Sequence, residues 1–180
     1  PLMPRRALLL AVLALPGCAT IAALDRATEP RDVHELSAPE DVPQLRPTGL
    51  QLSVEPPATS GAVDTERILV RLGPTQVSYL PDARWSASAP EMLRAAMVET
   101  LLRTGAFAHV GSRPLGPSGD LALVTTLLDF AATARPDSAM VEVEITLVAR
   151  LVRERDATIL ASRDVSRSVT VPDDTAEAIG

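Results

Sequence analysis

Hydrophobic and polar positions change rhythm several times along the chain, and each change marks an element. An unbroken apolar run from Ala7 to Leu15 follows Arg5 and Arg6 and leads into Leu15-Pro16-Gly17-Cys18. Residues 19–47 lose that rhythm: Pro30, Pro39, Pro43 and Pro47 interrupt a stretch of mixed charge, so it reads as an extended tether. Val33 and Leu36 form its one apolar pairing, enough for an edge strand. Leu50-Gln51-Leu52-Ser53-Val54 then alternates and reads as a strand, stopped by Pro56 and Pro57. Thr59 to Thr65 is small and polar, a loop.

Arg67 to Leu72 reads as a strand, Gly73-Pro74 as a turn and Gln76 to Leu80 as the returning strand. Asp82 to Trp85 reads as a loop. A helix is expected next. Ser88 stands at the N-cap, Pro90 in the first turn and Glu91 three residues after Ser88. Leu93, Ala96, Met97 and Leu101 recur at helical spacing, and Gly105 supplies the stop. Phe107 to Val110 starts a short strand, and Gly111 to Gly119 is a loop.

Three long strands follow. Leu121 to Ala132 begins apolar on both faces, which places it centrally. Val141 to Leu151 alternates most cleanly, with odd positions apolar and Glu142, Glu144 and Arg150 between them. In Thr158 to Val171, Arg163 and Arg167 break the apolar phase, as at an edge, a bulge or a contact surface. Pro172-Asp173-Asp174-Thr175 reads as the start of a further helix. The order predicts an α+β fold: an antiparallel sheet with helices packed on one face, a two-layer sandwich over residues 48–180.

Composition narrows the function. The 46% apolar content excludes a wholly disordered chain. The net charge of −6 argues against general nucleic-acid binding, which needs a basic face. With one cysteine no intrachain disulfide can form. His34 and His109 lie far apart in the chain without ligands at metal spacing, and no metal or other cofactor is expected. Neither a GxSxG elbow nor a phosphate-binding glycine loop occurs, so the chain reads as no enzyme. Asp129, inside an apolar strand, fits a solvated or edge-bonded carboxylate better than a catalytic one.

Two features invite partners. Tyr79 and Trp85 either anchor an interface or plug the end of the core. Arg150, Arg153, Arg155, Arg163 and Arg167 gather on the last two strands and their turn, either to meet an acidic surface or to blunt an edge.

The beginning of the chain has the layout of a bacterial signal peptide over residues 1–17 that ends in a lipobox. Charge, apolar core and a small residue before Cys18 arrive in the expected order. The apolar run is too short for a bilayer, which takes about 20 residues, so the chain is expected to hang from a membrane by a lipid on Cys18. Ala19 rather than Asp after the cysteine points toward the outer membrane.

The run Asp64-Thr65-Glu66-Arg67-Ile68-Leu69-Val70-Arg71-Leu72-Gly73-Pro74, then Val77-Ser78-Tyr79-Leu80 and Ala83-Arg84-Trp85, resembles the ABC-type transport auxiliary lipoproteins, the PqiC-like family. Gly105 to Val110 resembles that family's element after its helix, and the likeness runs from about Val33 to Val171. His34 stands where the family usually has tyrosine. The resemblance implies an accessory subunit of a transport system that moves lipids or other hydrophobic molecules across the periplasm. Its implied partners are a mammalian-cell-entry (MCE) domain protein, an ABC permease and its ATPase, with homo-oligomers open. The residues read above, independently of the resemblance, as candidate partner contacts are Tyr79, Trp85, Arg163 and Arg167. An alternative is a periplasmic carrier that holds the hydrophobic cargo itself.

Overall fold

A computed structural model of the chain describes residues 32–112, 119–134 and 140–172. The signal peptide expected over residues 1–17, Cys18 and the helix expected after Pro172 lie outside the described residues.

Among the described residues eight strands form one sheet: β1 (Asp32–His34), β2 (Gln51–Val54), β3 (Arg67–Arg71), β4 (Val77–Trp85), β5 (His109–Gly111), β6 (Leu121–Ala134), β7 (Met140–Arg153) and β8 (Thr158–Pro172). The helix α1 (Ala89–Arg103) lies between β4 and β5 in sequence. β6 is the axis of the sheet, as its apolar start predicts. On one side it runs antiparallel to β7, which runs antiparallel to β8. On the other side β2 and β3 follow one another along β6, both parallel to it, with Ala58 bridging Thr126 between them. Pro56 and Pro57 explain the break, since neither has an N–H for the ladder. β5 pairs parallel with β2, β4 antiparallel with β3, and β1 parallel with β4.

The expected antiparallel sheet is therefore corrected to a mixed one. The consecutive strands β3 and β4, β6 and β7, and β7 and β8 do pair antiparallel, but β2 and β3 reach β6 across long connections, which permit parallel pairing. Among the described residues there is one helix, so the fold is mostly sheet and broadly α+β.

Element ends follow their local chemistry. Ser88 is the N-cap in an extended conformation, but its side chain makes no capping bond; instead the Ala89 N–H donates to Thr65 O at 3.3 Å. Glu91 pairs with Arg94 rather than closing a capping box. At the other end Gly105 takes a φ of 67°, and the Thr104 hydroxyl donates to Leu101 O at 2.6 Å. β4 extends through Pro81 to Trp85, where a loop is expected. Ala83 to Trp85 hold that extension by pairing with β1, while a register shift on the β3 side absorbs the irregular residues.

Two apolar clusters fill the core. One joins Val63, Leu69, Leu127 and Phe130 to Ala89 and Leu93 of α1. The other joins Leu52, Val54, Val110 and Leu121, and Met97 of α1 touches both. Val143, Ile145 and Leu147 pack against the first cluster, so the odd positions of β7 face the core. β7 nevertheless stays half-buried on both faces, except for the exposed Glu144. A bulge at Leu128 is decisive for β6: Leu127 pairs with Leu147 and Asp129 with Thr146. Leu128 is thereby pushed out, 56% exposed, and Phe130 returns to the core beside Leu127.

From Asp32 on, the stretch read as a tether lies along the domain. Ser86 N–H donates to His34 O, Arg103 donates to Pro39 O, Gln44 Nε2 to Arg103 O, and Leu45 N–H to Thr104 O. Leu36 packs against the first core cluster and Ala38 is buried. The segment therefore forms a strap that runs from Ser86, just before α1, to the helix's last turn.

Candidate interaction surfaces

β3 and β4 place the aromatic pair. Leu69 pairs with Tyr79, and the Tyr79 ring lies beneath the Arg67 guanidinium at 3.9 Å from its centroid. The Tyr79 hydroxyl donates to Ala62 O at 3.2 Å. Trp85 stacks on Phe130, with ring centroids 5.1 Å apart and planes 15° apart, while His34 meets its edge at 6.5 Å. Both rings are half-buried and pack against the first core cluster. Their apolar bodies thus close the end of the core, and a stack of this kind adds about 1 kcal/mol beyond the area it buries.

The arginines of the last two strands separate. Arg153 and Arg155 both turn to Asp156 in the β7–β8 turn. Hydrogen bonding from the Thr158 side chain, then from its backbone, together with Arg153, lowers the Asp156 carboxyl below its ordinary value of 3.8. Arg150 lies on an even position of β7, away from the core. Arg163 pairs with Ala149 and Arg167 with Ile145, so these two share the core-facing side with Val165, which pairs with Leu147. Their guanidinium groups donate to the neighbouring carbonyls of Ser162, at 3.1 Å, and Ser166, at 2.7 Å. From Thr158 to Thr170 every residue but Val165 is exposed. β8 pairs with β7 alone among the described strands, so it is the sheet edge anticipated from its broken phase.

The site residues expected from sequence fall into two places, Tyr79 and Trp85 at the end of the core and Arg163 and Arg167 on the outer strand. Ile145 and Leu147 link them, since these two pack against the same cluster as the aromatic pair and lie opposite Arg167 and Val165.

Two carboxylates outside these surfaces have structural partners. Asp129 accepts from Arg71 at 2.6 Å, with both side chains about one-third exposed, 27% and 34%. That pair ties β3 to β6 just past the bulge. Glu144 accepts from Ser166 and Thr146 on the outward face. His109 is exposed beside Gly111. Among the described residues no group of three His, Cys, Asp or Glu side chains is placed to hold a metal, and no helix is long and apolar enough to cross a membrane. Among the described residues two buried side-chain oxygens have no hydrogen-bond partner: Glu154 Oε1 and, in the core, Oγ1 of Thr125, a residue only 1% exposed. Sequence gives no sign of the latter, because threonine is an ordinary strand residue.

Solved proteins share this fold. A crystal structure of a Xanthomonas campestris protein from a family of unknown function, DUF330, superposes with a TM-score of 0.64 at 24% identity, covering 80% of this chain and 81% of that one. A second, uncharacterised protein superposes with a TM-score of 0.54 at 18% identity, over 80% and 81% of the two chains. No curated protein sequence matches the chain. The α+β domain with a mixed sheet is thus one already seen in proteins of unassigned role. Residues 34–179 match the family model for the ABC-type transport auxiliary lipoprotein component, and the chain belongs to that family. By its description, the members of this family are lipoproteins that serve as auxiliary components of ABC-type transport systems.

Proposed function

We propose that the protein is a lipid-anchored accessory subunit of an MCE-type ABC transport system, moving lipids or other hydrophobic molecules across the periplasm. The observation that carries this reading is the joint occurrence of a lipobox at Cys18 and a family match over residues 34–179. In this reading residues 1–17 are removed and Cys18 carries the lipid. Ala19 directs the protein to the outer membrane, and the domain docks to the MCE-domain protein whose permease and ATPase sit at the inner membrane. The β3–β4 hairpin, with Tyr79 in its returning strand and Trp85 at its base, is the docking element tested first.

The test is a pull-down of the full-length lipoprotein from membranes, with mass spectrometry of proteins and lipids. Recovery of an MCE-domain protein with its permease is the expected result. Stoichiometric lipid without those proteins would replace this reading with an independent lipid carrier. A variant with the turn residues Gly73 to Gln76 shortened, keeping Tyr79 and Trp85, is expected to lose the MCE protein; unchanged recovery rules the hairpin out as the contact.

A further inference from the structure

An edge strand presents a row of unpaired backbone N–H and C=O groups, a template for one more strand. β8 is such an edge, 15 residues long, and its side chains from Thr158 to Thr170 are exposed except Val165. Its core-facing row reads Arg163, Val165, Arg167, Val169. Two cations four residues apart, about 13 Å along a strand, thus flank one half-buried apolar side chain. Elsewhere in the molecule Arg71, Arg84, Arg94 and Arg103 each hold a carboxylate. Among the described residues Arg163 and Arg167 donate only to carbonyls of their own strand.

A second copy of β8 fits this edge poorly. Antiparallel pairing that keeps like faces together and centres on Val165 sets Arg163 against Arg167. Centring on Asp164 sets that carboxylate against itself. Centring on Ser166 avoids a direct clash but gathers four guanidinium groups on one short stretch of face. Like charges in such positions destabilise a strand pair. The complementary occupant has the opposite charge at the same spacing.

We propose that the β8 edge is a strand-addition site for another protein, which contributes an extended segment of pattern acid–x–apolar–x–acid. Its carboxylates lie opposite Arg163 and Arg167, and its apolar residue lies opposite Val165. Main-chain bonds to β8 supply attachment, and the two ion pairs set register and exclude neutral or basic segments. The site does not depend on which transport system the protein serves.

The test uses the full chain in detergent and a short synthetic strand peptide with the core Glu-Thr-Val-Thr-Glu. A second peptide carries Gln in place of each Glu. Affinity is measured at low salt, together with amide hydrogen exchange along β8. The acidic peptide is expected to bind about tenfold tighter than its Gln counterpart, the combined effect of two ion pairs at a partly exposed edge. It is also expected to slow exchange at the β8 amides that do not face β7. In R163Q/R167Q, whose exposed side chains leave the fold intact, the preference should vanish while weak binding persists. Equal affinity for the two peptides overturns the proposal. So does finding the outward β8 amides already protected in the free protein, which would mean that another part of the chain covers the edge. Arginine-dependent binding to phosphatidylglycerol vesicles without peptide-induced protection would likewise replace the strand by a lipid surface.

Discussion

Thr125 offers the sharpest test of the core. Its side chain lies on β6 in the core-facing row between Leu123 and Leu127 and is 1% exposed. The hydroxyl has no partner, although the backbone around it is satisfied: Ala58 N–H donates to Thr125 O at 2.9 Å. A buried hydroxyl left without a bond costs about 1–3 kcal/mol, and replacing it by a methyl group of nearly the same shape removes that cost. Thr125→Val should therefore stabilise the domain by about 1–3 kcal/mol, against the usual direction of core substitutions. Trp85 is the only tryptophan and stacks on Phe130 at the end of the core, so its fluorescence reports unfolding directly. A urea titration has a slope of about 1–3 kcal/mol per molar, so the midpoint should rise by about 1 M with the slope unchanged. Thr126→Val, on the opposite face against Val148, is the control and should shift stability by no more than about 0.5 kcal/mol. A midpoint for Thr125→Val at or below that of the parent refutes the reasoning. It would show that the hydroxyl is bonded in solution, to water or to a bound molecule.

Other outcomes follow from single features. Phe130→Ala should cost about 3–5 kcal/mol and Leu128→Ala no more than about 0.5 in the same titration; comparable costs would mean that the β6 bulge is misplaced. Gly105→Ala should lose about 1 kcal/mol of thermal stability from its left-handed backbone alone, because the nearest atom to an added Cβ, Gln44 Oε1, is at an ordinary 3.6 Å. Asp156 binds its proton more weakly when folded, so its support for the β7–β8 turn is complete above its ordinary value of 3.8 and is lost as pH falls through the lowered one. Carboxyl NMR should show the group titrating below 3.8, and titration at or above that value would remove the Thr158 contact. Cys18→Ser should move the protein from the membrane to the soluble fraction, and unchanged membrane association would exclude the lipid anchor.

The legible parts of the fold are those where local chemistry and tertiary contact agree. Pro90, Glu91 and Gly105 bracket α1; β6 is apparent from its continuous apolar start, β7 from its alternation, and the edge character of β8 from its broken phase. Strand direction is not legible, because period-two alternation is the same in parallel and antiparallel pairs. Pro81 and Asp82 are poor strand residues, and β4 continues past them only because β1 arrives from far upstream. The prolines between Pro30 and Pro47 read as a solvated tether, yet Leu36 and Ala38 are covered by contacts with the domain that no local pattern announces. The arginine cluster shows the same limit at the candidate surface. Neighbours in sequence, Arg150, Arg153, Arg155, Arg163 and Arg167 divide between two faces and a turn, and only Arg163 and Arg167 remain as a pair. The likeness of residues 64–85 to the family was legible because a long motif holds information that single side chains do not.

The threading of β2 and β3 beside β6 also sets an order of assembly. A chain that emerges N-terminus first delivers β2 long before either of its neighbours, β5 and β6, exists. β3 and β4 can close at once as a local hairpin, and β6, β7 and β8 can zip sequentially through short turns. The parallel contacts must wait for loops of more than fifty residues to close, which is slow compared with local pairing. Until β6 arrives, the apolar positions Leu52 and Val54 have no sheet to enter, and during that interval the nascent chain is most exposed to misassociation. A holding chaperone would act on the first hundred or so residues, and its hold would end as the axial strand slides between the two halves.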